Sequence, residues 1–176
     1  MFQKFYPKEY VKSAYQIDFQ KLYHLGYRGL LFDIDNTLVE HGADANESSI
    51  ELFKKLKALG FRICLLSNNK EERVKRFNEK IQVDYIFHAK KPLKDSYLKA
   101  LKRMNGTKKT TIFIGDQIFT DIYGANRAGI YSILVKPINK KEEIQIVLKR
   151  YLEKIVLYFY KKSIRNSSKQ QNKGGI

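Results

Sequence analysis

The sequence predicts an α/β fold, a five-stranded parallel sheet flanked by helices in a single domain. Three observations predict it. Short apolar runs rich in branched and aromatic residues alternate with amphipathic segments of helical length. Turn-forming Gly, Asn and Pro residues separate one from the next. The 176 residues, 43% of them apolar and 13% aromatic, are enough for one domain with a substantial core.

Residues 1–28 contain no continuous apolar stretch, which speaks against a signal peptide and leaves an extension packed on the core. "GLLFDID", from Gly29, reads as the first strand. "NESSIELFKKLKALG" is an amphipathic helix, N-capped by Asn46 and stopped by Gly60. "FRICLLS" is the second strand, and "KEERVKRFNEK" a helix whose charges read as a solvated face. "DYIFHA" is a short third strand, and "LKDSYLKALKRM" a helix closed by Asn105–Gly106. "TTIFIGD" is the fourth strand, "TDIYGANRAG" a short helix ended by Gly129, and "IYSILV" the fifth strand. The core is expected to span 29–136, with a basic helix and flexible tail over 137–176. Strands and helices alternating in this way form parallel βαβ units, and ligands bind at the carboxyl ends of such strands.

Composition narrows the function classes. A single cysteine, Cys64, excludes an internal disulfide and points to a reducing, cytoplasmic setting. No apolar run approaches the roughly 18 residues of a membrane span. The formal charge of +16 and pI near 9.8 call for an anionic partner: a phosphorylated substrate, an acidic membrane surface or nucleic acid. Lysine-rich usage alone would give the same total, but its location is uneven. Residues 136–176 hold eleven Lys or Arg against three Glu, half of the excess.

Polar residues gather where the strands end. Asp33 and Asp35 close the first strand, Ser67, Asn68 and Asn69 the second, and Lys91 follows the third. Asp116 ends the fourth, with Asp121 one helical turn on. Burying carboxylates in so apolar a run is costly unless a cation sits among them. Asp33, Asp35 and Asp116 suit a hard, oxygen-seeking ion such as Mg²⁺. Side chains alternate along a strand, so Asp33 and Asp35 are expected to point the same way. One can then attack phosphorus while the other moves protons, with a lysine and a hydroxyl offsetting phosphoryl charge. His24, His41 and His88 lack metal-ligand spacing, and Cys64 sits mid-strand as core.

"DIDNTLV", "SNN", "KKP" and "GDQIFTD", in this order between Gly29 and Val135, resemble the four motifs of the haloacid dehalogenase (HAD) superfamily. The resemblance implies a Rossmann-like HAD domain with a catalytic set of Asp33, Asp35, Thr37, Ser67, Asn68 and Lys91. Asp33 would be the nucleophile that becomes an aspartyl-phosphate and Asp35 the general acid and base. Thr37 would support the motif loop, while Ser67 and Lys91 would bind the phosphoryl group. Mg²⁺ would be held by Asp33, Asp35 and Asp116, with Asp121 either just outside the ligands or directly bound. An Asp at the second motif position favours a phosphatase over the dehalogenase branch. Asn36, where many relatives have Gly, "GDQIFTDIYGANRAG" and the N-terminal "FYPKEYVKSAYQIDFQKLYHLGYRGL" are similar to the YqeG-like subfamily, itself related to phosphatidylglycerophosphate phosphatases.

The spacings between motifs each leave room for one helix and one strand, so no cap domain is expected. An open site suits a phosphate too large to enclose, such as a lipid head group. In "KKEEIQIVLKRYLEKIVLYFYKKSIR", Ile144, Val147, Leu148, Tyr151, Leu152 and Ile155 form one helical stripe, followed by an apolar-aromatic run and then cations. A helix closing the fold and a peripheral contact with an anionic membrane both fit that pattern. A basic HAD-fold protein that binds nucleic acid or a ribosome, and a phosphatase for nucleic-acid ends, are the alternative readings.

Overall fold

The computed structural model describes residues 2–139 and 144–171, with side chains of the last segment described over 151–166. Its elements run β1 (Glu9–Val11), α1 (Phe19–His24), β2 (Gly29–Phe32), α2 (Glu47–Ala58), β3 (Arg62–Leu66) and α3 (Glu71–Ile81). There follow β4 (Asp84–Ile86), α4 (Lys94–Arg103), β5 (Thr111–Gly115), α5 (Tyr123–Ala128), β6 (Tyr131–Val135) and α6 (Ile144–Gln171). One sheet collects the strands in the order β1-β6-β5-β2-β3-β4, and every pairing is parallel.

The sheet thus has six strands where the sequence predicted five. The sixth is β1, whose Glu9, Tyr10 and Val11 pair with Ile133, Leu134 and Val135. Three residues at a sheet edge, beside Lys8 and Lys12 and burying little, leave no periodic trace in the sequence. The other five strands lie where the apolar runs put them. The two central ones, β2 and β5, are buried along their whole length, as parallel strands covered on both faces are.

Alternation splits those strands between two cores. Leu30 and Phe32 face Phe53, Leu56 and Phe77, from α2 and α3. Leu31 turns the other way, with Cys64 and Phe113, against Tyr97, Ala100 and Ala125 of α4 and α5. Cys64 is fully buried, and burial pushes its thiol up to about 12, so it stays protonated core. No helix among the described residues is long and apolar enough to cross a membrane.

α6 packs on the turn after β5 through a third cluster, in which Val156 meets Ile118, Ile122 and Leu134. Its inward face is Glu153, Val156 and Tyr160, whereas Tyr151, Leu152 and Ile155 of the expected stripe face outward. The side chains of Ile144, Val147 and Leu148, also placed in that stripe, lie outside the described residues. Glu153 can turn inward because its Oε1 accepts the Ile118 backbone N–H at 2.7 Å.

Candidate active site

β2 stops at Phe32, one residue short of the first aspartate, although Asp33 N–H still donates to Ile114 O at 2.9 Å and extends the ladder by one bond. Beyond it the chain turns. Asn36 takes a left-handed φ of 61°, a conformation open to asparagine and glycine at low cost. Its N–H donates to Val39 O, and its own oxygens accept from Ile138 and Asn139 N–H, which tie the turn to the segment after β6.

This turn divides the two aspartates. Asp33 Oδ1 meets Lys91 Nζ at 2.5 Å, and the same ammonium lies 2.8 Å from Asp121 Oδ1. Thr37 Oγ1 is 3.3 Å from both Asp33 Oδ2 and Asp116 Oδ1 and so bridges β2 to β5. Asp33, Asp116 and Asp121 each offer one oxygen within 4.8 Å of the others, all three residues being buried. An all-oxygen trio this compact, in a pocket holding a single ammonium, fits a hard divalent cation such as Mg²⁺.

Asp35 is not part of that trio. Its Oδ1 accepts from Gly42 N–H at 2.7 Å and from Arg73 Nη2 at 2.9 Å, and its Oδ2 from Asn69 Nδ2 at 2.5 Å. Asp33 and Asp35, expected to point the same way and both to serve a metal, have different partners, and the Asp35 carboxylate contributes no oxygen to the trio. Strand alternation holds only inside a strand, and both residues lie past the end of β2. Asp121, expected either just outside or among the ligands, stands inside the trio.

The remaining candidates divide into groups that reach the cluster and groups that position it. Lys91 reaches it. Asn68 accepts Lys91 N–H on Oδ1 at 2.8 Å and donates Nδ2 to Lys91 O at 3.5 Å, so it holds the lysine's backbone from both sides. Ser67 is buried at the end of β3, and its Oγ accepts Asn69 N–H at 3.1 Å. His24, His41 and His88 are exposed and belong to no acidic cluster among the described residues.

Burial sets the charge states. Desolvation pushes the Asp33 carboxyl up to about 7, against the downward pull of Lys91 and with a further push from Asp121. Desolvation also works against the charged form of Lys91, but Asp121 and Asp33 outweigh it and hold its pKa above the ordinary lysine value. Gly115 is the close approach that lets this happen, since a Cβ there would lie 2.5 Å from Asp121 Oδ2.

Two residues of this neighbourhood escaped the sequence reading. Arg73 was read as part of a solvated face, yet its side chain is only 12% exposed where it meets Asp35. It stands one turn before the buried Phe77, at the edge of the inward face of α3, a position the helical spacing does disclose. Glu153 gave no such signal, because its partner is a backbone N–H 35 residues away in sequence.

Comparison with known proteins bears on what this arrangement belongs to. The haloacid dehalogenase-like hydrolase profile matches residues 40–129. The probable phosphatase YqeG of Bacillus subtilis (strain 168) is 36% identical over 159 residues, covering 89% of this chain and 92% of that protein. Phosphatidylglycerophosphate phosphatase 1, chloroplastic/mitochondrial, of Arabidopsis thaliana is 29% identical over 175 residues; 93% of this chain aligns, but with only 49% of that protein. Among solved structures, the putative HAD-hydrolase YfnB from Bacillus subtilis, bound to magnesium, superposes with a TM-score of 0.54. It is 14% identical and covers 68% of this chain and 91% of its own, a likeness of fold alone.

Proposed function

This chain belongs to the haloacid dehalogenase-like hydrolases and is a phosphatase, and from that premise we propose that it cleaves phosphomonoesters through an aspartyl-phosphate formed at Asp33. The observation that carries the reading is the Lys91 ammonium ion-paired at once with Asp33 and Asp121 inside a trio of buried carboxylates. A carboxylate so placed has a cation at hand to offset the charge of an approaching phosphoryl group.

The residues divide the work as follows. Asp33 attacks phosphorus, and its new O–P bond forms as the bond to the leaving oxygen breaks. Lys91 donates to the phosphoryl oxygens, and the Ser67 hydroxyl, whose lone pair takes the Asn69 N–H, has its own proton to give. Asp35 protonates the leaving oxygen and then takes a proton from the water that releases phosphate and regenerates Asp33. For that, the Arg73 and Asn69 contacts of Asp35 give way as substrate enters. Asp33, Asp116 and Asp121 would hold Mg²⁺, which supplies positive charge to the phosphoryl oxygens when bound.

The substrate we favour is a large or lipid-borne phosphate such as phosphatidylglycerophosphate. Two observations support it. Each interval between the motifs holds one helix and one strand, with no inserted lid among the described residues. The Arabidopsis relative carries that activity in its name. The test is a panel of phosphatidylglycerophosphate in mixed micelles, nucleotides, sugar phosphates and 3′-phosphorylated oligonucleotides, run with the native chain and Asp33→Asn. The native chain should prefer the lipid and depend on Mg²⁺, and Asp33→Asn should release no phosphate from any member. Preference for the oligonucleotide would replace the lipid reading, and undiminished release by Asp33→Asn would remove the nucleophile.

A further inference from the structure

α6 has two unlike faces. Inward, Val156 packs in the cluster around Ile118 and Ile122, Tyr160 meets the Tyr6 ring edge-on at 5.5 Å, and Glu153 accepts the Ile118 N–H. Outward, Tyr151, Leu152, Ile155, Tyr158 and Phe159 are 62, 52, 50, 63 and 40% exposed. Their three- and four-residue spacing puts them in one stripe. Six of the twelve exposed large apolar side chains among the described residues lie on this single helix. A concentration of that kind marks a contact surface.

The charges on the helix say what it contacts. Exposed Lys154, Lys161, Lys162 and Arg165 flank or interrupt the stripe, while Glu153, the one acid between residues 144 and 171, faces the body. A second copy pairing through this face would set those cations against their own kind with no acid to meet them. RNA would satisfy the cations but offers nothing apolar to bury Leu152 and Ile155. An anionic bilayer accepts both, with aliphatic groups below the head groups, tyrosines at their level and cations against the lipid phosphates.

We propose that the outward face of α6 docks on an anionic lipid bilayer, the helix lying in the interface plane. The Glu153–Ile118 bond and the packing of Val156 tie that helix to the segment that carries Asp121, so docking would hold that segment one helix away from a surface rich in lipid phosphates. The docking stands on the helix alone; its consequence for the substrate rests on the phosphatase reading above.

The experiment uses the full chain with vesicles of phosphatidylglycerol and phosphatidylcholine, with pure phosphatidylcholine vesicles as control. Two variants alter the stripe, Leu152→Glu with Ile155→Glu, and Lys161→Gln with Lys162→Gln and Arg165→Gln. The native chain should sediment with the anionic vesicles and be released by salt, as the Debye length falls from about 10 Å at 0.1 M to about 3 Å at 1 M. Each variant should lose at least tenfold in partitioning while hydrolysing p-nitrophenyl phosphate at the native rate. Equal binding of neutral vesicles, or native partitioning by both variants, overturns the proposal. So does a native dimer on gel filtration that the glutamate variant turns into monomer, or RNA binding that replaces vesicle binding. Failure to hydrolyse the soluble ester while vesicle binding persists would instead count against the phosphatase reading alone.

Discussion

The turn after β2 sends two aspartates, two residues apart, into different surroundings. Asp33 enters a buried pocket of like charges, held by one ammonium and one hydroxyl and poorly compensated. Asp35 enters a pocket of donors, a backbone N–H, an amide and a guanidinium, where its charge is fully met. The first region is costly to the fold and gains from a cation and a phosphoryl group. The second is already satisfied, and the proposed mechanism requires its contacts to loosen before Asp35 moves a proton. Two identical side chains in one motif are thus given different partners by what the turn places around them.

Variants can break or sharpen that contrast. Asp35→Asn should slow hydrolysis by about 10²–10⁴-fold, the usual worth of a positioned acid or base, while Mg²⁺ affinity changes little because Asp35 lies outside the trio. Steady-state rates across a Mg²⁺ titration would check both halves. Arg73→Gln removes one of the contacts that must loosen and leaves Gly42 and Asn69 on Asp35, so hydrolysis should stay near the native rate; a loss as great as that of Asp35→Asn would mean that Arg73 touches substrate.

Thr37→Val removes the hydroxyl between Asp33 and Asp116. It should raise the Mg²⁺ needed for half-maximal rate by about 10–100-fold, the range for groups that orient ligands. An unchanged Mg²⁺ requirement would show that the trio keeps its shape without the bridge.

The smallest effect is on stability. Burial pushes Asp33 up to about 7, so the folded chain keeps a proton that the unfolded chain gives up near pH 4. The stability associated with that proton is present below about pH 4 and is lost as pH rises through about 7. A cation binding the ionised trio opposes the loss. Mg²⁺ should therefore raise the melting temperature more at about pH 8 than at about pH 5.5, and equal shifts would contradict a cation among Asp33, Asp116 and Asp121.

Much of this was legible in the sequence. Asp33, Ser67, Lys91 and Asp116 converge on one sheet edge because each follows an apolar run, and parallel topology brings the ends of such runs together. The division between Asp33 and Asp35 was not legible, since it depends on where β2 stops and on the left-handed turn at Asn36. The inward face of α6 was not legible because a buried glutamate looks like a solvated one until its distant donor, Ile118 N–H, is seen. β1 was missed because three edge residues carry no periodicity.

The central claim is a covalent phosphoryl group on Asp33. It is tested most directly by mixing the chain with Mg²⁺ and a productive phosphomonoester, quenching in acid within one turnover and mapping the modified peptide by mass spectrometry. The phosphoryl group should lie on Asp33 and be absent from Asp33→Asn. A phosphoryl group on another residue, or rapid turnover with none trapped at any quench time, would contradict it.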